Sequence, residues 1–364
     1  MRLGLNLGYW GAGNDADNLA LAQEADRLGY DSCWAAEAYG SDAATVLTWV
    51  AAQTRRIDVG SAVFQIPARS AAMTAMTAAT LDTLSGGRFR LGLGVSGPQV
   101  SEGWHGVRFD KPLGRTKEYV EVVRTALARQ KVSYDGEHIV LPLPDGPGKA
   151  LRLTVHPLRE RIPVYLAAVG PKNLELCGRI ADGWQGIFFS PEHSAATVDA
   201  LREGRRLGGH DGGDGGGDPL AGFDLMTSTP VVVGDDPRAC ADELRGYYAL
   251  YIGGMGSREK NFYHRLATRM GFGEQADEVQ DHFLAKRHRE AMAAVPFEMI
   301  DASSLLGTPD RIAGRIGSYA AAGVTTLSVV TMAPTLEARR EVLRVTRDAA
   351  DSAGVLEAAD VEPA

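Results

Sequence analysis

Two glycine-containing segments of this chain could contact a nucleotide-like ligand. In the first, Gly92, Gly94 and Gly97 spell G-x-G-x-x-G at the end of a Leu-rich run. A dinucleotide-binding fold needs the third glycine of this motif to open a helix, and an acidic residue about twenty positions later to contact the ribose. Here we predict no helix before about Leu113, and the residue at that distance is Glu118, inside that helix. The spacing therefore argues against a dinucleotide fingerprint.

The same glycines suit another kind of contact. A strand that ends in glycine offers backbone that a flat ligand can approach closely, because no side chain intervenes. We interpret Gly94, Val95, Ser96 and Gly97 as a ligand-contacting loop at the carboxyl end of a strand. Gly92 and Gly94 also alternate along one face of that strand, so the relief of crowding inside a barrel is an alternative role for those two.

The second segment is Gly170-Pro171-Lys172-Asn173, which follows a predicted strand ending at Ala168 and opens a helix. Proline suits the first helical position, and the free N–H groups of a first turn favour an anion. Lys172 would add a positive charge. The segment predicts a phosphate site, with an ordinary strand-to-helix turn as the alternative.

Candidate groups for proton transfer lie in other predicted loops. Glu37 ends the second predicted strand and could accept a hydrogen bond or act as a base, although a salt-bridged glutamate is the alternative. His105, in the loop after the fourth strand, could donate or take a proton near neutral pH. Trp104, Tyr9 and Trp10 could form the wall of an apolar substrate pocket. A solvent-facing histidine and core aromatic residues are the alternatives.

Strands and helices that alternate along the chain must position these groups. The predicted strands are continuously apolar, which is typical of a parallel sheet covered on both faces. Eight strand–helix steps predict an α/β fold, a single closed (β/α)8 TIM barrel. The predicted strands are Arg2–Gly8, Tyr30–Ala36, Ile57–Phe64, Phe89–Val95, Pro163–Ala168, Gly183–Phe188, Phe223–Val233 and Val324–Val330.

Several segments fall outside this repeat. We expect residues 1–354 to form one domain, with insertions at about 131–161 after strand 4 and 253–306 after strand 7. The second insertion contains a long helical stretch, Asn261–Ala294. His210–Asp218 is glycine-rich and predicts a flexible surface link, and residues 355–364 predict a flexible tail.

The composition excludes several classes of function. The chain has 364 residues, 45% of them hydrophobic, and a net charge of −8, which argues against a general nucleic-acid or membrane-surface binder. The first residues, MRLGLNLGYW, lack the apolar core and cleavage site of a signal peptide, so we expect none, and we expect no membrane span because no apolar run reaches 18 residues. Three cysteines without metal spacing are typical of a reducing cytoplasm. The histidines show no convergent spacing, so we predict no metal site.

Several segments together carry a resemblance to a known family. In this order along the chain, they resemble the bacterial luciferase-like family from about Arg2 to Val330. The segments are LGLNLGYW, WAAEAYGSDA, DVGSAVFQIPAR, LDTLSGGRFRLGLGVSGPQVSEGWHG, RTKEYVEVVR, IPVYLAAVGPKNLELCGRIADGW and LLGTPDRIAGRIGSYAAAGVTTL. SGPQVSEGWHG and LAAVGPKN are most similar to the branch that uses the deazaflavin coenzyme F420.

This resemblance implies roles for particular residues. It implies a non-proline cis peptide at Ala62–Val63, which forms a bulge behind the deazaflavin ring. It also implies that Glu37 contacts the ring and that the Gly170–Lys172 turn holds the cofactor's phosphate. The chain departs from the family at Ala38, where several relatives have histidine, and near Gly97, where the sugar-phosphate branch has its acidic residue. A sugar-phosphate substrate is therefore not expected.

The resemblance implies an F420-dependent oxidoreductase that transfers a hydride between the deazaflavin C5 atom and a small organic substrate. The reacting group would be an alcohol or carbonyl, or a C=C or C=N bond. An FMN-dependent monooxygenase of the same family is one alternative, and a deazaflavin-binding protein without catalysis is another. The resemblance also implies a homodimer formed through helices near strands 2 and 3.

Overall fold

The computed structural model describes residues 1–10, 15–210 and 217–357. Most of the His210–Asp218 link and most of the predicted tail therefore lie outside the described residues. Eight parallel strands form the centre of the structure. They are β1 Arg2–Asn6, β2 Ser32–Ala35, β3 Asp58–Ser61, β4 Phe89–Gly94, β5 Val164–Ala167, β6 Gly183–Ile187, β7 Asp224–Val233 and β8 Thr326–Val330.

These strands close into a barrel. Each strand from β1 to β8 pairs with the next in parallel, and β8 pairs back with β1 through the register Leu3–Leu327. The predicted (β/α)8 barrel is confirmed. Because all eight strands run in parallel, the loops after their carboxyl ends lie at one end of the barrel, which we call the mouth.

Helices surround the barrel. They are α1 Asp15–Arg27, α2 Ala43–Gln53, α3 Ala71–Leu84, α4 Pro98–Gly103, α5 Pro112–Leu127, α6 Pro171–Ile180, α7 Ala195–Leu207, α8 Pro237–Ala249, α9 Phe262–Arg269, α10 Gly273–Leu284, α11 His288–Ala294, α12 Phe297–Ala302, α13 Pro309–Ala321 and α14 Leu336–Ser352. Among the described residues, no helix is both long and apolar enough to cross a bilayer. Asp42 caps α2, since its carboxylate accepts the Thr45 N–H at 2.8 Å.

The inside of the barrel is filled with side chains. Trp34 and Tyr165 meet edge to face with ring centroids 5.2 Å apart, and Met226 packs against them. Gly60 makes room for Trp34, because a β-carbon there would lie 2.3 Å from the indole. Towards the strands' amino ends, Arg90 donates to Asp58 at 2.7 Å. Side chains therefore fill the barrel below the mouth, and we call this packed layer the barrel floor.

Two strand predictions need correction. The single strand predicted at Ile57–Phe64 is interrupted, because the chain bulges between β3 and the short strand Phe64–Gln65. A further short strand, Leu305–Gly307, pairs with the upper half of β7 and was not predicted. A three-residue strand shows too few alternations to be recognised in a sequence.

Two helix predictions also differ from the structure. A helix begins at Pro98, well before Leu113, because proline suits a first helical position; it ends after six residues, at Gly103. The long helix predicted over Asn261–Ala294 is instead three helices, α9 to α11. The breaks fall at Gly271 and Lys286, whose φ angles are +92° and +60°.

Candidate active site

The predicted cofactor-binding residues follow four consecutive strands of the barrel. Glu37 follows β2, Ala62 and Val63 follow β3, Val95–Gly97 follow β4, and Ala168 follows β5. Because β2 to β5 are neighbours in the closed sheet, these loops lie side by side on one half of the mouth. The fold therefore brings together residues that are up to 131 positions apart.

The bulge after β3 contains the predicted cis peptide at Ala62–Val63. Both residues are half-buried, while Ser61 before them is fully buried. The Ser61 hydroxyl donates to the Gly92 carbonyl at 2.8 Å, and the Ser61 carbonyl accepts from Gln185 Nε2 at 3.0 Å. Ser61, which leads into the bulge, is therefore held by the adjacent strand β4 and by Gln185 of β6, two strands further round the barrel.

Two of the three glycines of the G-x-G-x-x-G sequence relieve crowding. A β-carbon at Gly92 would lie 1.9 Å from the Ser61 carbonyl oxygen, and one at Gly94 would lie 2.5 Å from Val63 Cγ2. Gly97 differs, since a β-carbon there would meet nothing closer than 3.4 Å. Beyond β4 the loop is therefore open to a ligand.

Glu37 is buried and paired. Its two carboxylate oxygens accept from Arg69, with Nη2–Oε1 at 2.6 Å and Nη1–Oε2 at 2.7 Å. They also accept the backbone N–H groups of Ala43 at 3.3 Å and Gln65 at 3.2 Å. Arg69 lies over the Phe64 ring, 4.4 Å from its centroid. This geometry supports a structural role, and a contact between Glu37 and a cofactor stays a prediction.

Gln65 links three loops of the mouth and was not singled out from the sequence. Its Nε2 donates to the Ala38 carbonyl at 2.6 Å, and its Oε1 accepts from Ser96 Oγ at 2.8 Å. Ala38 and Ser96 both have left-handed backbone, with φ of 50° and 61°. Glu37 in turn holds the Gln65 backbone, so the buried carboxylate supports the loop after β4 indirectly.

The turn after β5 leaves the amino end of α6 open, and the predicted phosphate site there stays a prediction. Gly170 caps α6 without any side-chain hydrogen bond, and a β-carbon there would meet nothing within 4 Å. Lys172 is 79% exposed and pairs with Glu175 at 3.0 Å. Arg269 of α9, not singled out from the sequence, donates to the Val169 carbonyl at 3.0 Å. Burial and the neighbouring Arg265 lower the Arg269 pKa.

His105 and Trp104 follow α4 and differ in exposure. Trp104 is 68% exposed. His105 is half-buried, and among the described residues its Nε2 atom is buried without a hydrogen-bond partner. A buried polar atom without a partner carries a desolvation cost, which a bound ligand could offset. His105 therefore stays a candidate for proton transfer to or from a bound ligand.

The opposite half of the mouth is aromatic. Tyr9 is exposed at the rim, and Trp10 is half-buried with its backbone N–H donating to Ser41 Oγ at 2.8 Å. Phe188, directly after β6, contacts Tyr247 near the end of α8, Tyr251 in the turn that follows α8, and Tyr263 of α9. The sequence analysis did not single out Phe188 or these tyrosines, because no recognisable motif surrounds any of them.

A sequence profile of the luciferase-like monooxygenase family matches residues 8–326. The chain belongs to the luciferase-like monooxygenase family. A Mycobacterium tuberculosis member with the provisional name coenzyme F420-dependent oxidoreductase is 42% identical over 334 residues, covering 90% of this chain and 94% of that protein. The 5,10-methylenetetrahydromethanopterin reductase of Methanolobus tindarius is 28% identical, covering 84% and 86%.

Solved structures agree with the fold of a luciferase-like protein. The coenzyme F420-dependent tetrahydromethanopterin reductase of Methanopyrus kandleri has a TM-score of 0.78 at 22% identity, covering 95% of this chain and 98% of that one. An F420-dependent secondary alcohol dehydrogenase in complex with an F420-acetone adduct has a TM-score of 0.75 at 18% identity, covering 95% and 99%. The family profile and the 42% identical mycobacterial relative confirm the predicted family and enzyme class, a luciferase-like oxidoreductase.

Proposed function

We propose that this chain is an F420-dependent oxidoreductase that transfers a hydride between the deazaflavin C5 atom and a small organic substrate. The reacting group would be an alcohol or carbonyl, or a C=C or C=N bond. The observation that carries the proposal is the 42% identity to the mycobacterial oxidoreductase over nine tenths of the chain. The M. kandleri and alcohol dehydrogenase structures, whose names specify F420, support the same cofactor.

The residues at the mouth fit a flat ring with a phosphate tail. Ala62 and Val63 form a half-buried surface over the side chains that fill the barrel, and residues 95–97 form an open loop beside it. The tail would run to Ala168–Lys172, where Gly170 leaves open space over the amino end of α6. When bound, F420 would supply hydride chemistry at C5.

The chain's own contribution would be to orient the ring and the substrate. Glu37, through Arg69 and Gln65, holds the loops around the ring in place. His105 is our candidate for proton transfer, because its buried Nε2 atom has no partner among the described residues. Tyr9, Trp10 and Trp104 would border the substrate.

Cofactor titration tests the proposal directly. We expect purified protein to bind oxidised F420 at least about tenfold more tightly than FMN, measured by quenching of cofactor fluorescence. Tight FMN binding without F420 binding would instead favour the monooxygenase alternative. F420 binding without turnover on a panel of alcohols, carbonyls and enones would favour a protein that binds F420 without catalysing a reaction.

A matched pair of variants tests the phosphate site. Lys172→Ala should weaken F420 binding about two- to fivefold, since it removes one exposed cation near the tail. Lys117→Ala is the control, because Lys117 also pairs with a glutamate on its own helix but lies on α5. If the two variants bind F420 with equal affinity, the phosphate of F420 does not lie at the start of α6.

We also propose a homodimer that forms through α2 and α3. Large apolar side chains are half or more exposed on these two neighbouring helices: Trp49 52%, Met73 51%, Met76 50% and Leu84 61%. The three on α3 recur at helical spacing, so they lie along one face. A monomer rarely leaves such a row in water.

We propose a reducing cytoplasm as the location, since Cys33, Cys177 and Cys240 are all free and buried.

A further inference from the structure

Aromatic side chains from separate segments meet at the mouth opposite the proposed cofactor half. Phe188 contacts Tyr247 at 5.4 Å between ring centroids, Tyr251 at 5.3 Å and Tyr263 at 5.9 Å. Tyr251 lies 4.8 Å from Tyr247 and 4.9 Å from Tyr263. The three tyrosines are only partly buried. We call Phe188 and these three tyrosines the tyrosine wall.

The segment from the end of α8 to the start of α9 holds the tyrosines of this wall in place. A π-helical turn, Leu250–Gly254, continues α8, and such turns occur frequently at functional sites. Asn261 is buried and donates to the Tyr251 carbonyl at 3.0 Å and to the Ile252 carbonyl at 2.7 Å. Its Oδ1 accepts the Tyr263 N–H at 2.9 Å. One buried amide therefore fixes Tyr251 relative to Tyr263.

Tyr9 lies near the wall, as an electrostatic neighbour of Tyr251 and Tyr263, and no member of the wall is ionised near neutral pH. Burial, with a smaller contribution from the neighbouring Tyr9, raises the pKa of Tyr263 to about 12. Burial also raises the pKa of Tyr251, and its strongest electrostatic neighbours are other tyrosines, Tyr9 among them. The phenols are therefore neutral hydrogen-bond donors near neutral pH, and no ionised side chain is prominent among these neighbours.

We propose that the tyrosine wall and Tyr9 form the substrate subsite, and that it takes an uncharged, planar carbonyl compound or alcohol with an aromatic or conjugated ring. The ring would stack on the tyrosine faces, and a phenol would donate a hydrogen bond to the substrate oxygen. A charged substrate would find no counter-ion in the wall. The inference rests on the proposed function, because that function places the cofactor on the opposite half of the mouth.

Ligand-observed NMR with four small probes tests the subsite. The probes are acetophenone, its non-planar analogue cyclohexyl methyl ketone, and the charged aromatic compounds benzoate and trimethylphenylammonium. They are titrated into the full-length protein with and without F420. We expect acetophenone to bind at least about tenfold more tightly than either charged probe, because stacking and one phenol bond act together.

Variants localise the binding. Tyr251→Phe keeps the ring and should weaken acetophenone about three- to tenfold through loss of one hydrogen bond, while Tyr251→Ala should weaken it more than about tenfold. Tyr134→Phe is the control, since Tyr134 bonds to Glu121 outside the mouth. Unchanged acetophenone affinity in both Tyr251 variants, or equal binding of a charged probe, would overturn the inference. If F420 fails to bind but acetophenone binding still depends on Tyr251, the subsite stands and the proposed cofactor does not.

Discussion

Substitution of Glu37 tests whether its carboxylate stabilises the fold or takes part in the reaction. Each oxygen of Glu37 accepts from two donors, one N–H of Arg69 and one backbone N–H. In Glu37→Gln, the amide NH₂ group replaces one of these oxygens, so two donors would face another donor in either rotamer. The Glu37 side chain is only 6% exposed and that of Arg69 14%, so water cannot easily compensate.

The magnitude follows from this geometry. Removal of one partner from a buried pair typically costs about 3–5 kcal/mol. Asp42 still pairs with Arg69, and the remaining amide oxygen still accepts. We therefore expect Glu37→Gln to lower the free energy of unfolding by about 2–4 kcal/mol, measured by urea denaturation followed by circular dichroism.

Two further variants complete this test. Arg69→Met combined with Glu37→Gln should cost less than the sum of the single changes, because the two residues interact directly. Glu175→Gln, which breaks only the exposed pair with Lys172, should stay within about 0.5 kcal/mol of the wild type. The reasoning would be refuted if Glu37→Gln stayed within about 0.5 kcal/mol as well. Loss of turnover in Glu37→Gln without a change in the free energy of unfolding would instead indicate a catalytic role for Glu37.

Three other predictions concern packing, pH and assembly. Gly92→Ala should lower the free energy of unfolding by about 3 kcal/mol or more, because its β-carbon would overlap the Ser61 carbonyl, whereas Gly97→Ala should be nearly neutral in the same urea assay. Burial alone would raise the pKa of Glu192. Hydrogen bonds from Arg315, from the Glu192 backbone and from Ser190 outweigh burial and lower the pKa from 4.5 to about 2. The ionised Glu192 carboxylate therefore stabilises the fold above about pH 4.5, and this stabilisation is lost as the pH falls towards 2. The free energy of unfolding of Glu192→Gln should therefore differ from that of the wild type at pH 7, and the two values should converge in acid. Trp49→Glu should convert a dimer to a monomer in light scattering, whereas Leu207→Glu on α7 should not, although Leu207 is 50% exposed and Trp49 is 52% exposed.

Each of these has a clear contrary outcome. Equal stability of Gly92→Ala and Gly97→Ala would mean that the strands can shift apart. A constant difference between wild type and Glu192→Gln down to pH 2.5 would show that the carboxylate does not titrate with folding. A monomeric wild-type protein would leave the exposed row on α3 without a dimer to explain it.

Much of the fold was readable from the sequence, because the signals involved are local. Apolar strands that alternate with helices of 3.6-residue period predict a parallel barrel. Asp42 was identifiable as a helix cap, since capping depends on a neighbouring backbone N–H. The cis peptide at Ala62–Val63 was predicted from the family resemblance, and nothing in those two residue types demands it.

Only the tertiary structure decided how the candidate residues are used. The sequence leaves Glu37 open to two interpretations, because its partner Arg69 is 32 positions away and becomes a neighbour only when β2 and β3 pair. The crowding at Gly92 depends in the same way on contact with the bulge after β3. The tyrosine wall has no sequence signature at all, because it combines segments from Phe188 to Tyr263 through long-range packing. Local periodicity determines which elements form, whereas the contacts between distant elements determine the chemistry of the mouth.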